Sequence, residues 1–95
     1  VNSAGLYEVS YHVTTQVDSG IDRSQTRHYL ALNGTMLQQT QMYHYNRELN
    51  KGYSSSSMSL ILPLAALDVL QIVARKWTGS NNVSAIYAGI TLIKL

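Results

Sequence analysis

The chain has 95 residues, no cysteine, 13% charged residues and a formal net charge of +2. That is enough chain for one domain (residues 1–95), with no disulfide to staple it. Its basic residues (Arg23, Arg27, Arg47, Lys51, Arg75, Lys76, Lys94) form no run, which excludes a nucleic-acid footprint.

The segment Leu6 to Thr15, LYEVSYHVTT, alternates with period two. Tyr7, Val9, Tyr11 and Val13 fall on one face, and Glu8, Ser10, His12 and Thr14 on the other. Aromatic and β-branched residues in that pattern predict a strand. Val1 leads almost directly into it with no initiator Met, so the sequence reads as a fragment of something longer. Gln16 to Ser24, with Asp18, Ser19, Gly20 and Asp22, has loop chemistry.

Arg27 to Leu32 reads as a short strand with His28, Leu30 and Leu32 on one side. Asn33-Gly34 follows, and both residues accept positive φ cheaply, so a hairpin with Met36 to Tyr45 is expected. Asn46 to Gly52 reads as a connection. Ser54 to Leu62 is the next strand, with Pro63 as its stop. A helix over Leu60 to Ala74 is the alternative, but Pro63 would break its interior. The same region holds the longest apolar stretch, Leu60 to Leu70; Pro63 and Asp68 interrupt it, and it is too short to span a membrane.

Asp68 to Lys76 then reads as a strand and Trp77 to Val83 as a loop. The last strand is Ser84 to Lys94. Ile86, Ala88, Ile90 and Leu92 face one way; Tyr87, Gly89, Thr91 and Ile93 face the other. Both faces are largely apolar, whereas a strand wetted on one side alternates apolar with polar. A neighbouring subunit is the expected cover for the second face. Some six strands with turn signals between them predict an all-β antiparallel β-sandwich. A core this small gains from oligomer contacts.

Gly5 to Thr15, GLYEVSYHVTT, resembles the central strand motif of C1q-like heads. The order after it is similar too: two short strands, a loop with Tyr, a Ser-rich run into LILPL, and a turn into DVLQIVA. The ending SAIYAGITLIKL resembles the family's closing strand, with Tyr87 at the aromatic position and Gly89 at the glycine. Leu67-Asp68 departs from the family's Gly-Asp. The resemblance to the C1q and tumour-necrosis-factor type covers nearly the whole chain. It implies a jelly roll whose opening strands are missing from this chain, and a homotrimer with the closing strand near the threefold axis. The expected interface comprises Ile86, Tyr87, Ala88, Gly89, Ile90 and Leu92, with Tyr7 and Tyr11.

No catalytic constellation is expected, since no nucleophile, acid and base fall into a recognisable pattern. No cofactor is expected, and no metal. His12, His28 and His44 lack ligand spacing and read as separate core-rim or surface residues rather than a metal trio. Asp18 and Asp22 read as ordinary loop carboxylates, too few for calcium. Tyr43, Tyr45, Tyr53 and Trp77 fall in or beside loops. Exposed aromatics with a polar edge suit a sugar ring or a protein receptor; the alternative is that they fold back into small cores or subunit contacts.

The expected function is a non-enzymatic trimerisation and receptor- or glycan-binding head of a viral or phage fibre, spike or tailspike. Its expected place is the virion surface or outside the cell. An extracellular bacterial or animal C1q-like module, or a purely structural trimer clamp, are the alternatives. Neither nucleic acid nor membrane insertion is expected.

Overall fold

The computed structural model describes residues 1–19, 24–46, 53–78 and 82–95. The described strands are β1 (Gly5–Ser19), β2 (Ser24–Leu32), β3 (Thr35–Met36), β4 (Met42–Asn46), β5 (Tyr53–Leu64), β6 (Leu70–Thr78) and β7 (Asn82–Lys94). One 3-10 turn, Gln38–Thr40, lies between β3 and β4. All pairings are antiparallel.

Two sheets form. The first has the order β5-β1-β7. In the second, β2 is central: β6 pairs it from Gln25 to Leu32, while β3 and β4 pair its two ends. A strand has two edges and β6 runs along one of them, so β3 and β4 share the other. The molecule is a two-layer sandwich, three strands wide in each layer. Its extents, 47 × 19 × 18 Å, follow from β1's 15 residues at about 3.3 Å each.

The alternation of β1 places Tyr7, Val9, Tyr11 and Val13 between the sheets, with Leu30 of β2 and Leu62 and Leu64 of β5 packed against them. Burying such side chains contributes about 1.5–3 kcal/mol each. Along the long axis this interior changes character. Its far end, beyond Val13, is lined by Thr15, Thr26, His28 and His44, all buried.

The Asn33-Gly34 turn forms as expected, with φ of 51° and 85° and Leu32 paired to Thr35. Several boundaries differ from the sequence reading; the expected loop from Trp77 to Val83, for one, is entered by β6 to Thr78 and by β7 from Asn82. Met36 to Tyr45 is not one strand; the 3-10 turn divides it, and its buried Thr40 accepts the Leu30 N–H through Oγ1 at 2.9 Å. Pro63 does not end β5, which continues to Leu64 with Pro63 opposite Leu6. Proline is tolerated there because β5 is an edge strand and the lost donor need not join a ladder. Strand β1 runs on to Ser19, through residues that carry loop chemistry, because β7 pairs with it up to Asn82.

The turn between β5 and β6 is pinned by side chains. Asp68 accepts the Ala65 N–H at 2.8 Å and the Asn33 amide at 2.9 Å. Asn33 Oδ1 in turn accepts the Val69 N–H at 2.9 Å. These bonds hold Asp68's carboxyl below the usual carboxylate range, the Asn33 bond contributing most. Val1 adds two bonds: its ammonium donates to Asp68 O at 2.6 Å, and its carbonyl accepts the Leu67 N–H at 2.7 Å.

Candidate functional site

The outward face of the β5-β1-β7 sheet follows from the register. Rows across it read Ile61–Glu8–Ile93, Ser59–Ser10–Thr91, Ser57–His12–Gly89 and Ser55–Thr14–Tyr87. Its middle is a hydroxyl ladder, with Ser10 and Ser59 bonded through their Oγ atoms at 2.8 Å and Thr14 Oγ1 and Ser55 Oγ at 2.8 Å. Apolar side chains flank the ladder: Leu6, Ile61 and Ile93 at one end and Tyr87 towards the other, all exposed. Among the described residues Glu8 is the charged one on this face.

Strand β7 is poorly covered on both sides. Tyr87 and Ile93 are 69% and 54% exposed on the outward face, and even Leu92, turned towards the layer interior, is 39% exposed. A bulge between Thr14 and Thr15 leaves Ile86 without a cross-strand partner, breaking the simple alternation expected for this strand. The outer edges of β6 and β7 carry no strand among the described residues. Where the two layers gape at that side, an open cavity of about 430 Å³ is lined by Val1, Asp68, Val69, Leu70, Ile90 and Leu92.

Of the residues expected at a subunit interface, Ile86, Tyr87, Ala88 and Leu92 are exposed, while Gly89 and Ile90 are half-buried. Tyr7 and Tyr11 require correction. Both lie inside the chain's own core, and the Tyr11 hydroxyl donates to the Thr40 carbonyl. Burial pushes the Tyr11 hydroxyl up to about 12. Alternation had separated the two faces of β1 without showing which one this chain covers by itself.

The tyrosines expected to bind ligand do not converge on one face. Tyr43 and Tyr45 flank the buried His44 on β4 and so point out of the second sheet, both about half exposed. Tyr53 stands on the outward face of the first sheet, where its hydroxyl accepts from Gln16 Nε2 at 3.2 Å. The side chain of Trp77 lies outside the described residues, as do those of Asp18, Asp22, Arg23, Arg47 and Lys51. Beside Tyr43 the register sets Arg27 and then Arg75, and the Arg27 guanidinium lies 5.5 Å from the Tyr29 ring centroid. The sequence offered no signal for that row, because its members come from three strands.

The three histidines separate in an unexpected way. His12 is exposed on the outward face of the first sheet, while His28 and His44 are buried together with ring centroids 4.3 Å apart. Among the described residues no group of three or more His, Cys, Asp or Glu is placed to hold a metal ion. No helix among them is long and apolar enough to cross a membrane.

Fold and surface together define a two-layer antiparallel β-sandwich. No protein-family model matches the chain, and no curated protein matches its sequence.

Proposed function

We propose that the chain is the closing part of a C1q- and tumour-necrosis-factor-like jelly roll, and that it acts without catalysis as a homotrimeric binding head. The strand order supports the first half of this reading. After β4 the chain changes layer at every connection, and β1 and β2 are each flanked on both sides, as in a jelly roll. The open edges of β6 and β7 lie on the same side of the sandwich, where two opening strands would pair.

The observation that carries the assembly reading is the outward face around β7. It combines exposed Tyr87, Ile93, Ile61 and Leu6 with a central ladder of short hydroxyl side chains and very little charge. Depletion of charge around apolar and aromatic residues is how the centre of a subunit contact differs from ordinary surface. Of the interface residues expected, Tyr87 and Gly89 lie on this face and Ile86 is exposed at the bulge; Ala88, Ile90 and Leu92 turn towards the layer interior and could meet a second copy only at the open edge, and Tyr7 and Tyr11 drop out. Light scattering of the chain at micromolar concentration is expected to give three times the chain mass. A monomeric mass there would remove the assembly reading.

The ligand face we favour is the outward side of the second sheet, where Tyr43 and Tyr45 stand next to Arg27 and Arg75. Tyrosine rings stack on apolar sugar faces, and guanidinium forks suit carboxylates. This supports a surface glycan or an acidic protein receptor as the partner. A virion surface or extracellular setting fits the low charge and the hydroxyl-rich strands.

A further inference from the structure

At the far end of the sandwich interior, four strands meet around two imidazoles. Strand β1 contributes Thr15, β2 contributes Thr26 and His28, β4 contributes His44, and β5 contributes Ser56. His44 is held at both nitrogens: Nδ1 lies 2.8 Å from Thr15 Oγ1, and Nε2 lies 2.6 Å from Ser56 Oγ. It therefore ties β4 to both β1 and β5 in the opposite sheet. His28 has one partner, Thr26 Oγ1 at 2.9 Å from Nε2. Its Nδ1 is closed to solvent and has no hydrogen-bond partner. The two rings are tilted by 54° at a centroid separation of 4.3 Å.

A neutral His28 leaves one lone pair without a donor. A protonated His28 would carry a second N–H with no acceptor and a buried charge beside His44. An unpaired buried charge costs far more than an unpaired lone pair. Among the described residues nothing facing the pair offsets it. From β1 the neighbours are Tyr11, Val13 and Thr15, and from β5 they are Met58, Ser56 and Ser54. Strand β4 adds Met42, and β2 adds Thr26 and Leu30. Ala88 and Ala85 of β7 stand opposite Val13 and Thr15; Ala74 and Lys76 of β6 stand opposite His28 and Thr26. None of these is a carboxylate. The ionisable one whose side chain is described is Tyr11, engaged by the Thr40 carbonyl.

We propose that the His28–His44 pair is an acid-opened latch: a proton on His28 forces the buried pair apart, releases β4 from β1 and β5 and loosens the end of the sandwich that presents Tyr43 and Tyr45. The opposite end, packed from Tyr7, Val9, Leu62 and Leu64, holds no histidine and stays closed. The latch is a property of the single chain and does not depend on how copies assemble.

Burial, and secondarily the neighbouring His44, push His28 down to about 4. His44 is lowered by burial as well. Once opened, each ring regains its ordinary affinity for protons near pH 6.5. The closed state is therefore fully favoured above about pH 6.5 and loses ground as pH falls towards 4. For His28 alone, linkage makes the opening constant rise roughly 30-fold between pH 8 and pH 5.

Amide hydrogen exchange of the chain at pH 8 and pH 5, corrected for intrinsic rates, tests this. Amides of β4 and of Ser54 to Ser56 are expected to lose protection by roughly 30-fold or more at pH 5. Those of Val9 and of Leu60 to Leu62 are expected to keep theirs. The His28→Gln/His44→Gln double variant is expected to show equal protection of β4 at both pH values. Equal protection in the wild type, or a loss spread evenly over all strands, would overturn the latch. So would a loss that persists in the double variant. Should that variant not fold, NMR titration of the wild-type imidazole Cε1–H signals decides: midpoints below pH 5.5 support the latch, and midpoints near 6.5 refute it.

Discussion

The imidazole of His12 covers Gly89. The two residues face each other across β1 and β7, and a methyl group built on Gly89 would stand 2.6 Å from His12 Cε1 and 3.2 Å from Nε2. Glycine at position 89 thus makes room for a side chain of the neighbouring strand, on the face proposed to meet other copies. Gly89→Leu is expected to displace His12, to destabilise the chain by about 1–3 kcal/mol as overpacking does, and to lower the assembled mass. The smaller Gly89→Ala should cost less in a His12→Ala background than in the wild type. A double-mutant cycle by urea denaturation should give a coupling of at least about 0.5 kcal/mol. Additive effects would show that the imidazole simply swings away.

Leu67 adopts φ of 72° at the turn between β5 and β6. A left-handed backbone strains an L side chain, and glycine takes it without that penalty. Leu67 is 81% exposed, so its side chain contributes little burial in return. Leu67→Gly is expected to raise stability by up to about 1 kcal/mol, the strain relief exceeding the added freedom of the unfolded chain. A lower unfolding midpoint for the variant would show that Leu67 makes a contact worth more than its strain.

Tyr11 joins β1 to the 3-10 turn through the Thr40 carbonyl, and Thr40 Oγ1 donates to the Leu37 carbonyl at 2.7 Å while accepting from Leu30. Tyr11→Phe keeps the packing and leaves a buried carbonyl without its donor. The expected loss is about 1–3 kcal/mol, read as a shift of the urea midpoint at unchanged slope. Retained stability would mean that water replaces the hydroxyl.

Acid should destabilise the chain in two separate steps. The first belongs to the histidines: their folded-state affinity for protons is lowered, so the unfolded chain binds more protons and stability falls as pH drops from about 6.5 towards 4. For His28, shifted from 6.5 to about 4, the full loss is about 3 kcal/mol. The second belongs to Asp68, whose carboxyl is stabilised in the ionised form. Its contribution is present above the ordinary carboxylate range and is lost as pH falls below it. Urea unfolding at pH 8, 5 and 3 should show both steps. The His28→Gln/His44→Gln variant should lack the upper step and Asp68→Asn the lower one. A wild type equally stable at pH 8 and 5 would contradict the first assignment.

Much of the strand plan was legible because its causes are local. The alternation of Leu6 to Thr15 and the Asn33-Gly34 turn need only the φ and ψ preferences of neighbouring residues. The 3-10 turn was not legible, because what holds Thr40 comes from Leu30 and Tyr11, ten and twenty-nine residues away. Pro63 misled for a related reason: its effect depends on whether β5 is an edge or a central strand, which is a property of the sheet. The two apolar faces of β7 could be read from its own residues, and Ile86, Tyr87, Ala88 and Leu92 are exposed. Tyr7 and Tyr11, equally apolar, went the other way into the interior.

By itself, the sequence determined that this chain makes antiparallel strands with two distinguishable faces, because side-chain direction in a strand repeats every two residues. Only the tertiary structure decided which face points inward, which strands stand at open edges, and that His28 and His44 share one buried site. Those outcomes depend on cross-strand register, and register is set by the sum of contacts between residues far apart in the chain. A one-residue slip would have put both histidines in water and left the same local preferences satisfied.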